Sequence, residues 1–393
     1  MKDDSLFLEV DVAQCCKEGQ RICGDSFLTR RVEGEGRIIV VLSDGLGSGV
    51  KANVLSSMTA SMALKFVEGK MEFLRSADVM MDALPVCRQR GISYATFTVV
   101  EAVLHGWTRI MEMDNPGVLL VRDGEAVPVG KRSFSSSRWK ARTLRQSEVA
   151  TRPGDRLVLL SDGITQAGMG SPAFPLGWGE ERMKAFVLDR VRRDPQVSAH
   201  RLSRAVLRDA LWKEPQHRPG DDMTCAVLYF RTPRRCRVLT GPPFDPSRDG
   251  EFAHLLTGFE GRTVVCGGTT AEIVSRELGR PLETDLRTST RNLPPLSRME
   301  GVDLVTEGIL TLTKARRLLE TEGVLDEPRD GARRLVDLLL DSDVIEFVVG
   351  TRINEAHQDP SLPVEIEMRR GLVRSLAALL ETRYLKRTFV RYL

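Results

Sequence analysis

No stretch of this sequence strings together the roughly 18 apolar residues that a membrane-spanning helix needs. The N-terminal MKDDSLFLEV is acidic and lacks the apolar core of a secretory leader. Both absences predict a protein without a membrane partner. Charge of one sign is missing too: 57 Lys and Arg face 54 Asp and Glu, a formal balance of +3, so bulk electrostatics give no reason to expect a nucleic-acid partner. No Cys-x-x-Cys occurs, and the cysteines at 15, 16, 23, 87, 225, 236 and 266 are an odd, scattered set. That disfavours a disulfide framework or a four-thiolate zinc site and favours a reducing cytoplasm. Cys15, Cys16 and Cys23 read as small incidental thiols rather than a metal or redox cluster, because ligand spacing is absent.

What is present is an ordinary globular composition, 41% apolar and 28% charged, over 393 residues. That length is more than one core usually serves, so two domains are expected. Apolar runs rich in β-branched residues read as strands at 37–43, 94–104, 108–113, 117–122, 156–161 and 224–230. Between the first two, Val54, Leu55, Met58 and Met62, then Val79, Met80, Ala83 and Leu84, recur at helical spacing and predict two helices. Their methionines suit core packing better than an adaptable partner surface. A second helical pair fits 180–193 and 197–213. Strands in antiparallel succession with helices inserted in pairs predict a layered α+β domain over 1–232. The segment 231–250 is rich in Pro, Arg and Gly, so residues 233–244 read as a linker. From 245 to 393 strands and helices alternate, as in an α/β domain.

Two strands end alike, VVLSDG at Asp44 and VLLSDG at Asp162. One Asp-Gly after a strand is usually only a turn. Two such ends, with GDDMT supplying Asp221 and Asp222 and CGDSF supplying Asp25, would make an all-oxygen pocket if the strands are neighbours. Such a pocket suits Mg²⁺ or Mn²⁺ rather than zinc or copper. Histidines are absent from these motifs; only His217 lies near one. GLGSG (45–49) lacks the spacing of a dinucleotide or GK[ST] phosphate loop, and no G-x-S-x-G elbow or H-E-x-x-H helix occurs. The nucleophile is therefore expected to be water.

In order and spacing, GDSF (24–27), SDGLGSG (43–49), DNPGVLLVRDGE (114–125), SDGIT (161–165) and GDDMT (220–224) resemble the metal-dependent protein phosphatases of the 2C type. The match is best to the bacterial branch typified by the stage II sporulation protein E phosphatase, over about residues 10–230. The resemblance implies a four-layer αββα sandwich, two Mn²⁺ or Mg²⁺ ions, and hydrolysis of phosphoserine or phosphothreonine in a phosphoprotein. By position it makes Asp44 the carboxylate shared by both metals, the Gly45 carbonyl a backbone ligand, and Asp162 and Asp221 ligands of one metal. Asp25 would serve the other metal, and Asp222, where eukaryotic members carry Asn, stands as an outer or alternative ligand. Arg21, four residues before Asp25, is the candidate phosphate-binding arginine. Two cations lower the pKa of a bridging water and offset phosphoryl charge, so in-line attack by a metal-bridging hydroxide is expected. The glycines of the metal loop would serve either a rearranging loop or simply a tight turn.

Residues 245–393 carry no catalytic constellation. Thr269 or Thr270 is expected to cap a helix after VVCGG, and the basic C-terminal stretch, with Arg387 and Arg391, to be the solvated side of a terminal helix. This domain is expected to sense a small molecule or protein and set phosphatase activity. The alternative is a catalytically silent phosphatase-fold regulator that binds a phosphoprotein or ligand.

Overall fold

The computed structural model of this chain describes residues 6–32, 34–83, 95–104, 106–135, 143–285, 295–321, 330–352 and 362–393. Leu84, Cys87 and Tyr94 lie outside them. The chain divides into two compact units, Met1–Thr232 and Pro233–Leu393.

In chain order the first unit contains β1 (Phe7–Cys15), β2 (Ser26–Val32), β3 (Arg37–Gly45), α1 (Val50–Glu68), α2 (Phe73–Ala83), β4 (Ala95–Val103), β5 (Trp107–Met113), β6 (Leu119–Arg122), β7 (Glu125–Val127), β8 (Arg132–Ser135), β9 (Thr143–Ala150), β10 (Arg156–Leu160), α3 (Asp162–Thr165), α4 (Glu180–Arg193), α5 (Ala199–Lys213) and β11 (Met223–Arg231). One sheet runs in the order β1-β11-β10-β6-β7 and the other β2-β3-β4-β5-β9-β8. All their pairings are antiparallel.

Side chains alternate across a strand, and here both faces are covered. Ile39 and Val41 of β3 pack with Ala60, Ala63, Leu64 and Val67 of α1, while Ile38, Val40 and Leu42 on the opposite face are fully buried. In the other sheet Val158 and Leu160 of β10 pack with Val187, Leu202 and Val206 of α4 and α5, and Leu157 and Leu159 are buried on the reverse side. Two sheets face to face with a helix pair outside each make the four-layer αββα sandwich, an α+β fold.

The two helices of 50–83 form, but the sequence stripe falls at the margin of the buried face of α1, with Met62 packed at its edge. Its buried face is Ala52, Ser56, Thr59, Ala60, Ala63, Leu64 and Val67, whereas Val54 and Met58 are 50% and 42% exposed. Small residues let the helix lie close on β3, and that close approach selects the face over bulk hydrophobicity. Strands β1 and β9 escaped the sequence reading, because each carries charges inside it. On β1, Glu9 pairs with Arg231 at 2.9 Å. Asp11 accepts from Ser203 Oγ at 3.0 Å and meets His200 Nδ1 at 3.0 Å.

The second unit contains β12 (Arg235–Thr240), α6 (Asp249–His254), β13 (Arg262–Cys266), α7 (Gly268–Leu278), β14 (Glu283–Asp285), β15 (Leu296–Arg298), β16 (Leu304–Thr306), α8 (Ile309–Glu320), α9 (Gly331–Asp341), β17 (Val344–Val349), α10 (Leu362–Tyr384) and β18 (Arg387–Tyr392). Its seven-stranded sheet runs β14-β15-β16-β13-β12-β17-β18, parallel from β16 to β18. Helices α8, α9 and α10 cover one face and α6 and α7 the other. Three expectations fail here. Residues 233–244 are no linker: β12 is the middle one of the five parallel strands, with Cys236 and Val238 fully buried and Arg237 held by Glu346 at 2.7 Å. Helix α7 begins at Gly268 with Gly267 as its cap residue and no side-chain cap. The chain does not end on a helix, because Arg387 and Arg391 belong to β18, an edge strand parallel to β17.

The Asp11 cluster ties β1 to α5 through buried polar groups, so losing one partner strands the others. Asp11→Ala is expected to destabilise the protein by about 3 kcal/mol in urea unfolding. Burial alone would raise the Asp11 carboxyl, but His200, Arg204 and Ser203 outweigh it and hold the group below its usual value. A depressed carboxylate stabilises above its unfolded value, so this contribution is expected to fade as pH falls through the folded value.

Candidate metal centre

The acidic motifs meet at one rim of the sandwich. Asp44 lies at the end of β3, opposite Thr96 of β4. Asp162 opens α3 directly after β10, Asp221 and Asp222 immediately precede β11, and Asp25 immediately precedes β2. Although β3 and β10 belong to different sheets, the Asp44 and Asp162 side chains come within hydrogen-bonding reach of each other. Asp25 and Asp221 stand close enough for their charges to act on Asp44.

Neutral donors fix these carboxylates. Thr224 Oγ1 donates to Asp25 Oδ2 at 2.6 Å, and Gln14 Nε2 donates to Thr224 Oγ1 at 3.1 Å and to the Asp25 carbonyl at 3.2 Å. The Thr224 amide donates to Ser161 Oγ at 2.9 Å, tying β11 to the Asp162 turn. Gln166 Nε2 donates to Asp162 Oδ2 at 3.0 Å. The Lys17 amide donates to Asp222 Oδ1, and the Asp222 amide to Asp221 Oδ1, each at 2.9 Å. Gln14, Ser161, Gln166 and Thr224 were not singled out from the sequence, though Ser161 and Thr224 lie inside the quoted motifs. Asn115, from the third motif, donates to Thr98 Oγ1 at 3.1 Å and accepts from Thr96, so it braces β4 beside Asp44.

Two glycines let backbone come in close. A Cβ on Gly45 would sit 2.0 Å from the Ala52 carbonyl oxygen of α1, and one on Gly163 would sit 2.2 Å from that of Asp222. The SDG repeat is therefore a packing requirement as well as a turn. Of the remaining candidates, Asp222 is buried, while Arg21 is exposed with no ion pair drawing it to the cluster among the described residues. His217 is exposed, edge-on to Trp212. The cysteines depart from expectation: Cys16 and Cys23 are disulfide-bonded, with Cα atoms 4.5 Å apart. The loop leaving β1 returns to begin β2, and that reversal brings together two thiols the sequence treats as incidental.

Electrostatically the cluster is short of positive charge. Burial, then the charges of Asp25, Asp162 and Asp221, pushes the Asp44 carboxyl up to about 9. Burial lifts Asp25 to about 6, against the hydrogen bonds from Thr224 and Ser161. Asp162 is raised by burial and by Asp221. Asp25 Oδ1 and Asp222 Oδ2 are buried without a hydrogen-bond partner. Orphaned buried carboxylate oxygens in an all-oxygen donor set fit a hard divalent cation. Among the described residues, a carboxylate oxygen of Asp222 lies within 4.8 Å of the sulfurs of Cys16 and Cys23, which are already bonded to each other.

Folded carboxyls raised above their ordinary value of 3.8 hold protons that the unfolded chain releases, so stability falls as pH rises. The metal-free protein is expected to melt lower at pH 8 than at pH 5, and Mn²⁺ to restore more stability at pH 8. Asp44→Asn removes the most strained carboxylate. It should raise the metal-free melting point by about 3 °C at pH 8 and abolish the Mn²⁺ shift, as read by thermal unfolding.

A family model described as stage II sporulation protein E (SpoIIE) matches residues 34–231. The phosphatase domain of the cell-fate determinant SpoIIE from Bacillus subtilis is 16% identical, with 58% of this chain and 93% of that one covered and a TM-score of 0.43. RsbX, solved in complex with magnesium, is 16% identical over 57% of this chain and 95% of its own, with a TM-score of 0.40. The RsbU and RsbW domains of a Mycobacterium tuberculosis protein are 19% identical, covering 64% of this chain and 68% of that one, with a TM-score of 0.47. No curated protein matches the chain in sequence.

Proposed function

Because the chain belongs to the stage II sporulation protein E family, we propose that its first unit is a metal-dependent serine/threonine protein phosphatase acting in bacterial signalling. The observation that carries this reading is the convergence of Asp25, Asp44, Asp162 and Asp221 from strand ends far apart in sequence. Manganese or magnesium, as two ions, would supply the activated water and the positive charge that a phosphomonoester dianion requires.

Asp44 would be the shared carboxylate, since it feels the charges of Asp25, Asp162 and Asp221 together. The Gly45 carbonyl, Asp162 and Asp221 would complete one side of the donor set and Asp25 the other. Thr224, Gln14, Ser161 and Gln166 hold these groups in place with neutral donors, which orient carboxylates without cancelling the charge a cation needs. Asp222 would act from the periphery, and Arg21, free on the surface, would reach a substrate phosphate. A thiol nucleophile is disfavoured, because burial raises the thiols of Cys15, Cys225, Cys236 and Cys266. Among the described residues no helix is long and apolar enough to cross a membrane. The second unit, Pro233–Leu393, is proposed to sense a small molecule or protein and set the activity.

Hydrolysis of a phosphoserine or phosphothreonine peptide is expected only with added Mn²⁺ or Mg²⁺. Asp44→Asn, Asp162→Asn and Asp221→Asn should each lower kcat/KM on the order of a hundredfold or more. Thr224→Val, which unpins Asp25 and takes an acceptor from Gln14, should cost about tenfold. Full activity in Asp44→Asn would overturn the reading, and tight phosphopeptide binding without turnover would leave a binding module instead.

A further inference from the structure

The bonded pair Cys16–Cys23 closes a loop that touches the acidic cluster from two sides. On one side the Lys17 amide holds Asp222 Oδ1 at 2.9 Å, the Glu18 amide donates to the Pro219 carbonyl at 2.9 Å, and Arg218 Nη1 donates to Glu18 at 2.8 Å. On the other side Asn53 Nδ2 of α1 donates to the Cys23 carbonyl at 2.8 Å, and Ser56 Oγ donates to the Gly24 carbonyl at 2.5 Å. The loop thus bridges the Asp221–Asp222 turn to the start of α1. Its last residue before Asp25 leaves no slack: a Cβ on Gly24 would lie 2.7 Å from Asp222 Oδ2, the buried oxygen that has no partner.

Neighbouring Cys15 takes no part. It packs against the apolar layer beneath the sheet, with Sγ over the Cys16 carbonyl at 3.6 Å. Cys16 keeps part of its surface exposed, which gives an oxidant or a reductant access from that side.

We propose that Cys16 and Cys23 form a reversible thiol–disulfide modification site that gates divalent-cation binding by the adjacent aspartates, with a hydroperoxide as oxidant. In the forward step one thiolate attacks a peroxide oxygen, the O–O bond breaks, and water leaves (an alcohol, for an organic peroxide). The resulting sulfenic acid is attacked by the second thiol, the S–S bond forms, and a second water leaves. Two thiols and one H₂O₂ thus give one disulfide and two waters, with two electrons passing to the peroxide. A dithiol reductant reverses the step by exchange. The disulfide fixes the short loop before a cation arrives, so binding no longer bears the cost of ordering it. The oxidised form is therefore the tighter cation binder, by on the order of tenfold. This inference rests on the reading of the aspartates as a cation site.

The test compares the full chain reduced with a phosphine and oxidised with one equivalent of H₂O₂, excess reagent removed from each. Thiol alkylation with peptide mass mapping reads the covalent state, and electron paramagnetic resonance of free Mn²⁺ reads binding, so neither readout depends on turnover. Oxidation should join Cys16 and Cys23 in one linked peptide and lower the Mn²⁺ dissociation constant about tenfold. The Cys16→Ser/Cys23→Ser double variant should bind Mn²⁺ like the reduced form whether or not peroxide is added. Equal Mn²⁺ affinity in the two wild-type forms overturns the gate while leaving the cation site intact. Peroxide that fails to link the pair, or a stoichiometric zinc held by both thiols in the reduced protein, also overturns it. Absence of Mn²⁺ binding in both forms overturns the cation site and the gate together.

Discussion

Mutual repulsion of carboxylates at the rim of the sandwich is the constraint on which the first unit turns. Asp44 and Asp162 arrive on the ends of strands in opposite sheets and stand within hydrogen-bonding reach, which two anions tolerate only if they share a proton or a cation. A chain free to relax would let them swing apart into water. It is prevented by antiparallel ladders running to the last residues of β3 and β10, and by side chains buried on both faces of those strands. The sheets thus hold negative charge where the cluster alone would disperse it. Donors held in place in this way would spare a hard cation the cost of gathering them.

The helix beside this rim has to obey the same geometry. Since the Ala52 carbonyl occupies the place of a Gly45 side chain, α1 and the loop from Gly45 to Gly49 cannot shift independently. The small residues on the buried side of α1 serve that approach. Gly163 plays the matching part in the other sheet, against the Asp222 carbonyl. Each SDG motif therefore couples a carboxylate to the element packed behind it, and movement of α1 or of the Asp221–Asp222 turn is transmitted to the donor atoms. The loop from Cys16 to Gly24 bridges those same two elements, so its stiffness affects both.

Much of this was legible in the sequence, for identifiable reasons. Strands such as RIIVVLS are apolar on both faces because helices and a second sheet cover them, and a continuous apolar run is visible without alignment. The acidic turns could be read because they repeat, Asp44 and Asp162 ending their strands in the same three letters. What failed depended on partners remote in sequence. Strand β1 carries Glu9 and Asp11, acceptable inside because Arg231 pairs with Glu9 and because His200 and Ser203 hydrogen-bond Asp11. The arginines around Cys236 suggest a linker, yet Arg235 and Arg237 lie within β12, inside the parallel part of the sheet, where Glu346 on the neighbouring β17 pairs with Arg237. The Cys16–Cys23 bond was hidden because six intervening residues carry no ligand spacing; only the reversal between β1 and β2 brings the sulfurs together.

The same carboxylates also set how stability and function trade against each other in this unit. Burial, the largest cause of the raised Asp44 and Asp25 values, is what a cation site needs in order to exclude competing water, and it is also what penalises the charged, metal-free state. A cation that binds only the folded form relieves the penalty in proportion to RT ln(1 + [L]/Kd). The folded population of the first unit is then tied to free metal concentration most strongly where the aspartates are most ionised, toward alkaline pH. Neutral replacements at these positions would relax the metal-free fold, so the acidic rim runs against the direction stability alone would favour.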